Sequence, residues 1–185
     1  MSKYVISQIL VVISLIVLGI TYLLKNKKDI MKLCSIYCVI YATHYLLLNA
    51  RTGFCMSMIS CARNILFYKN EKNKKDNKLV VLLFFIGIAI FFGILTYSDP
   101  FSLISITASI ISTYSVWQKK TNVYRTLAIP VSLCYIIYGI HIKSAFSVIT
   151  EVILLVVEIV GVVDYFISKN KINKDSLKEE LLWYL

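Results

Sequence analysis

Seven runs of mostly apolar residues, separated by short polar or lysine-bearing stretches, constrain this chain more than any other feature of it. The hydrocarbon core of a bilayer, about 30 Å thick, takes roughly 20 apolar residues per helix, with a range of about 17 to 25. Segments near 4–24, 30–49, 52–68, 79–97, 101–117, 122–140 and 144–168 fit that length and predict an all-α polytopic membrane protein with seven transmembrane helices. With 58% hydrophobic and 16% charged residues, the chain is too apolar for an ordinary soluble domain, whose apolar share is roughly 45 to 50%. The first run follows Lys3 but is too long for a signal peptide and lacks a small-residue cleavage site, so it is expected to remain as a helix.

Charge sets the expected orientation. Lys3, Arg51 and Lys143 fall on one side, whereas the clusters Lys25 to Lys32, Lys69 to Lys78, Lys119 to Arg125 and Lys169 to Lys178 fall on the other. An excess of lysine and arginine marks the cytoplasmic side, which places the N-terminus outside and the C-terminus in the cytoplasm. Topology thereby accounts for the net charge of +10. A nucleic-acid partner would instead call for a basic face with exposed aromatics on a soluble module.

Ionisable groups inside the segments cost about 2.5 to 3.5 kcal/mol each on insertion scales and normally face the bundle interior. Arg63 is the only basic residue left inside a segment; Glu151, Glu158 and Asp164 lie on the last segment and His44 on the second. Glu151 and Glu158, two helical turns apart, share a face, whereas Asp164 is rotated off it toward interfacial water. Placing Tyr45 on Tyr135, 90 residues on, puts Ser57 on Ser147 and Ser60 on Thr150. This matched block predicts two parallel three-helix repeats: residues 1–68, a basic loop and charge-free linker helix at 69–100, a second repeat at 101–168, and an amphipathic cytoplasmic tail at 169–185 opened by a Ser176 and Glu179 capping box. In that frame Arg63 stands opposite Ile153, so Glu151 is its expected partner and Glu158 the second choice.

Two roles follow for these charges. They line a cavity between the repeats and contact a polar solute, or they brace the third helix against the seventh. With both carboxylates ionised the cluster is net negative, which opens proton coupling as a reading. The solute-binding set expected from the first role is Arg63, Glu151, Glu158, Ser57, Ser147, Asn64 and His44; for the uncharged members and His44, hydrogen-bonded helix packing is the competing role. Pro130, alone inside a helix, is the expected hinge. Cys34, Cys38, Cys55, Cys61 and Cys134 all fall in apolar segments and read as free thiols, and the Cys34 and Cys38 turn has no His or carboxylate to complete a metal site. No nucleophile and base, HExxH or phosphate loop is present, so no enzyme and no cofactor is expected.

The stretch from His44 to Phe67, with HYLLL, Thr52-Gly53, Arg63 and Phe67, resembles the YgjV-type bacterial inner-membrane protein family, as do Tyr138-Gly139, Ser144, Glu151 and Val160-Gly161. More distantly the chain is similar to the sugar-efflux (SWEET-like), PQ-loop and nicotinamide-riboside transporters. The resemblance implies a bacterial inner-membrane location, a three, one, three helix plan and a solute site between the two bundles, with Ser57 and Ser147 as paired polar positions. Two departures stand out: the family tends to carry asparagine near Ser57, and the relatives' proline hinges are missing apart from Pro130. The leading expectation is a small polar-solute transporter in a lipid bilayer. The alternative is a non-transporting accessory or structural membrane protein. Oligomeric state is left open.

Overall fold

A computed structural model describes residues 2–23, 27–73, 79–118 and 121–183. Its regular structure among those residues is α-helical throughout: α1 (Lys3–Leu23), α2 (Lys27–Leu47), α3 (Arg51–Lys72), α4 (Leu79–Leu95), α5 (Pro100–Trp117), α6 (Thr121–His141) and α7 (Ala145–Trp183). Helix ends fall within a few residues of the expected segments except at two C-termini. α3 continues to Lys72, and α7 runs on to Trp183 where a separate tail helix was expected. No proline interrupts α7, and its last stretch is rich in lysine, glutamate and leucine, which propagate a helix readily. The side chains of Asp164, Ser176 and Glu179, and the lysines at 74–78 and 119–120, lie outside the described residues.

Among the described residues three helices, over Lys3–Thr21, Val123–His141 and Ala145–Ile167, are long and apolar enough to cross a membrane, and Met31–Leu47 and Leu79–Leu95 form shorter apolar helices. The sorting of side chains is inverted relative to a water-soluble domain, which places Ile, Val and Leu inside. Here Val80 (73% exposed), Ile94 (71%) and Leu95 (64%) face outward. By contrast α5 buries Ser102, Ser105, Ala108, Ser109, Thr113 and Ser115 along one stripe. Small residues let helices approach closely and hydroxyls bond between helices or back to their own backbone, the packing expected when the surroundings are as apolar as the side chains.

α2 packs between α1 and α3, and α6 between α5 and α7; α3 also touches α5, α1 touches α7, and α4 lies against α3 and α5. Apart from α4, this pattern maps onto itself when α1, α2 and α3 are exchanged with α5, α6 and α7. The register of the exchange is fixed by the turns. α2 begins at 27 and α6 at 121, 94 residues apart, and α3 and α7 begin the same distance apart, at 51 and 145. Ala50 N–H bonds to Tyr45 O and Asn49 N–H to Leu46 O, and 94 residues later Ser144 N–H bonds to Gly139 O and Lys143 N–H to Ile140 O. Asn49 and Lys143 both take the left-handed conformation, at φ 57° and 55°, which makes each turn a Schellman cap. This corrects the 90-residue frame by four residues. Such a slip is about one helical turn, so it leaves nearly the same face inward, and apolar pattern alone does not separate the two frames.

The end of the bundle that carries these two turns is stitched shut. Gly53 N–H, one of the unpaired donors of the first turn of α3, bonds to the Tyr138 hydroxyl at 3.1 Å. Its backbone passes so close to two rings that a Cβ there would meet Tyr138 and Tyr45 at 2.9 Å. His44 Nδ1–H donates to Ser7 O at 3.0 Å, and Nε2 lies 3.3 Å from the Ser144 hydroxyl. Gln8 Oε1 accepts from Phe146 N–H at 3.1 Å. At the same end Asp99 caps α5, accepting from Ser102 N–H at 3.0 Å ahead of Pro100. Its other oxygen lies 3.1 Å from His141 Nε2.

Candidate solute cavity

Between the two three-helix groups lies a cavity of about 500 Å³, lined by α1, α2, α3, α5, α6 and α7 and by no residue of α4. That volume lies in the range of small-molecule sites, about 300 to 1,000 Å³. Its walls obey the same register as the turns. Met31, Cys34, Tyr37, Cys38 and Tyr41 of α2 stand 94 residues before Arg125, Ala128, Val131, Ser132 and Tyr135 of α6, and Ser57, Ser60 and Asn64 of α3 stand 94 before Glu151, Leu154 and Glu158 of α7; every one of them lines the cavity. Tyr41, Tyr45, Ser57 and Glu151 form the part nearest the stitched end. Gln118, Arg125 and the half-buried Glu158 form the part nearest the opposite end.

The expected pairing of Arg63 with Glu151 is not made, nor is one with Glu158. Arg63, only 3% exposed, donates from Nη1 to Thr113 Oγ1 at 2.9 Å, from Nη2 to Ser112 Oγ at 3.4 Å, and from Nε and Nη2 to Asn64 Oδ1 at 3.3 Å. Two causes account for the correction. In the 94-residue register Glu151 is level with Ser57, six residues from Arg63, or about 9 Å of helix rise. In addition, α3 packs on α5, whose inward stripe supplies the hydroxyls that hold the guanidinium. The carboxylates are likewise held by neutral donors: Glu151 accepts from the Tyr41 hydroxyl at 3.4 Å and Glu158 from the Ser132 hydroxyl at 3.0 Å.

Of the sequence-predicted residues, Arg63, Glu151, Glu158, Ser57 and Asn64 meet at the cavity wall. Ser147 stands behind it, sharing a 2.8 Å hydrogen bond with Tyr41. His44 is not in the lining but in the stitched end, where its ring joins α1 to α7. Pro130 is half-buried in α6 between the lining residues Ala128 and Val131, without lining the cavity itself. Sequence reasoning missed the tyrosine wall of Tyr37, Tyr41, Tyr45 and Tyr135. The signal was present as a four-residue spacing on α2, where Tyr37 and Tyr41 rings lie 5.0 Å apart and Tyr41 and Tyr45 rings 5.2 Å apart. It also missed Ser112 and Thr113, whose only sequence signal is membership of a serine and threonine stripe.

The family model Imp-YgjV, described as a bacterial inner membrane protein, matches residues 5–168, from the first turn of α1 through α6 and the apolar part of α7. No curated protein and no solved structure matches the chain.

Proposed function

We propose that this chain, which belongs to the Imp-YgjV family of bacterial inner membrane proteins, carries a small polar solute through the space between its two helical groups. In this reading all seven helices cross the bilayer, with α1–α3 and α5–α7 as parallel repeats and α4 as the linker that lets them share one orientation. The N-terminus is outside and the C-terminus cytoplasmic, by the distribution of lysine and arginine. The constant 94-residue register of helices, turns and cavity walls supports the repeat plan. That plan is also the one implied by the resemblance to sugar-efflux, PQ-loop and nicotinamide-riboside transporters.

The observation that carries the transport reading is that Arg63, Glu151 and Glu158 face one cavity of about 500 Å³ instead of one another. A brace packs its opposite charges together, because that is what offsets their removal from water. Charges held apart around open volume by neutral hydroxyls and an amide suit a guest instead. The stitched end closes the cavity toward the outside, so this state faces the cytoplasm. Transport then requires the Gly53 to Tyr138 and Gln8, His44 to Ser144 contacts to part while the other end closes. Pro130 withholds a hydrogen bond from the Thr126 carbonyl, which gives α6 a place to bend.

Uptake into proteoliposomes tests this. The wild type moves at least one class of polar solute down its gradient, and Arg63→Ala reduces that flux to the rate of empty liposomes. Absence of flux for sugars, amino acids, organic acids and nucleosides alike overturns transport and leaves the structural role.

A further inference from the structure

We infer that the cavity's ligand is a small zwitterion, with one carboxylate and at least one ammonium group; this rests on the transport reading only for the cavity being a solute site. The wall is bipolar. On the α3 and α5 side stands a guanidinium whose partners among the described residues are all neutral, and one Nη1 hydrogen is left without an acceptor there. On the α7 side stand two carboxylates, each with a single neutral donor among the described residues. A buried charge without a counter-charge is costly, and a ligand that brings the missing opposite charge recovers that cost. A neutral polyol leaves all three charges unpaired, and an anion or cation alone leaves one pole so.

The two poles differ in what else they offer. Guanidinium takes carboxylate through two parallel N–H contacts, which places the ligand's acid group at Arg63. Around Glu151 the wall is aromatic, with Tyr41 bonded to it, the Tyr37 ring tilted against Tyr41 and the Tyr45 ring edge-on to it. Ring faces beside a carboxylate suit an organic ammonium. Tyr45 also keeps a buried hydroxyl with no hydrogen-bond partner among the described residues. One guanidinium against two carboxylates further favours a ligand with more ammonium than carboxylate groups, so a basic amino acid balances the wall better than a neutral one.

Equilibrium binding to the full chain in nanodiscs tests the inference, with L-lysine, L-serine, cadaverine, lactate and glucose as probes. L-Lysine binds at least tenfold tighter than cadaverine, which lacks only the carboxylate, and than lactate or glucose, with L-serine between. Arg63→Gln removes the preference for L-lysine over cadaverine by weakening L-lysine without weakening cadaverine, which loses only a like charge, whereas Glu151→Gln weakens both amines. Arg63→Lys, which keeps the charge, retains part of the preference and serves where Arg63→Gln does not fold. Equal loss of L-lysine and cadaverine in Arg63→Gln, or glucose bound as tightly as L-lysine, overturns the inference. Flux of glucose without L-lysine binding removes the inference and leaves transport; L-lysine binding without flux of any solute removes transport and leaves the inference.

Discussion

The two three-helix groups share helix spacing and turn hydrogen bonds and differ in chemistry. At matched positions 94 residues apart, Ser57 faces Glu151's role, Asn64 that of Glu158, and Arg63 that of Val157. Arg63 is 3% exposed and Val157 38%. The hydroxyls that hold Arg63, on Ser112 and Thr113, have Leu18 and Gly19 as their counterparts on α1. A cation at 157 therefore has no equivalent hydroxyl clasp, and the chain carries none there. The two walls thus share a spacing but not a charge: the cation stands on one and the anions on the other.

Exchanging residues between the matched positions probes that difference, and the largest effect is expected at Asn64. Asn64→Glu copies Glu158 into the first group and sets a carboxylate where Oδ1 now accepts from Arg63 at 3.3 Å. The guanidinium then has an internal counter-ion and turns into a brace. Solute flux is expected to fall at least about 100-fold, because forfeiting a desolvated charge contact costs roughly 3 kcal/mol or more, while the melting temperature holds or rises. Unchanged flux would detach Arg63 from the solute path proposed above.

Gly53 and Ser147 come next. Gly53→Ser copies the second group into the first and drives a side chain into the Tyr138 and Tyr45 rings, at a cost of about 1 to 3 kcal/mol for overpacking. Ser147→Gly, the reverse copy, removes the 2.8 Å partner of Tyr41 and adds backbone freedom, about 1 kcal/mol for the hydrogen bond and about 0.5 to 1 kcal/mol for glycine in a helix. Thermal melts in one detergent compare them, and equal stability of the two variants with wild type would mean that neither position is specialised.

Helix number and most helix ends were legible because apolar runs of bilayer length and the lysines between them leave few alternatives. Arg63, Glu151 and Glu158 were legible as well, since a charge in such a run is costly and needs a reason. Their partnership was not. A four-residue slip keeps nearly the same face inward, so the 90-residue frame fits the apolar pattern and puts Glu151 within two residues of Arg63's depth; the turn hydrogen bonds that decide for 94 are backbone geometry. That α3 meets α5 is a tertiary fact, and serines on a membrane helix are too common to announce an arginine clasp. The tyrosine spacing on α2 was visible, but an aromatic stripe reads first as core.

The left-handed turn residues offer a smaller test of the same comparison. Asparagine tolerates φ near +55° better than lysine does. Lys143→Asn, which copies Asn49, is expected to stabilise by about 0.5 kcal/mol, a fraction of the roughly 1 to 2 kcal/mol that left-handed backbone costs an ordinary residue. Asn49→Lys should lose a similar amount, and a melt series in which both changes destabilise would show the two turns to be unlike despite their shared hydrogen bonds.

The smallest effect belongs to a contact found in the second group alone. Asp99 and His141 have Val5 and Leu47 as their counterparts. Burial pulls the Asp99 carboxyl up, but hydrogen bonds from His141, the Ser102 N–H and the Ser98 hydroxyl together outweigh it and hold the group below its ordinary value. A carboxyl depressed in the folded state adds stability above its unfolded pKa of about 3.9, and that stability is lost as pH falls through the lower folded value. Both side chains are about one-third exposed, 33% for His141 and 34% for Asp99, so the contribution stays below about 1 kcal/mol. Asp99→Asn keeps a capping oxygen and removes the charge; its melting temperature should sit slightly below wild type at pH 7, with the gap closing toward pH values under about 3.9. A gap that persists in acid would assign the effect to packing against the Phe101 and His141 stack, whose rings lie 4.2 Å apart, and not to the carboxylate.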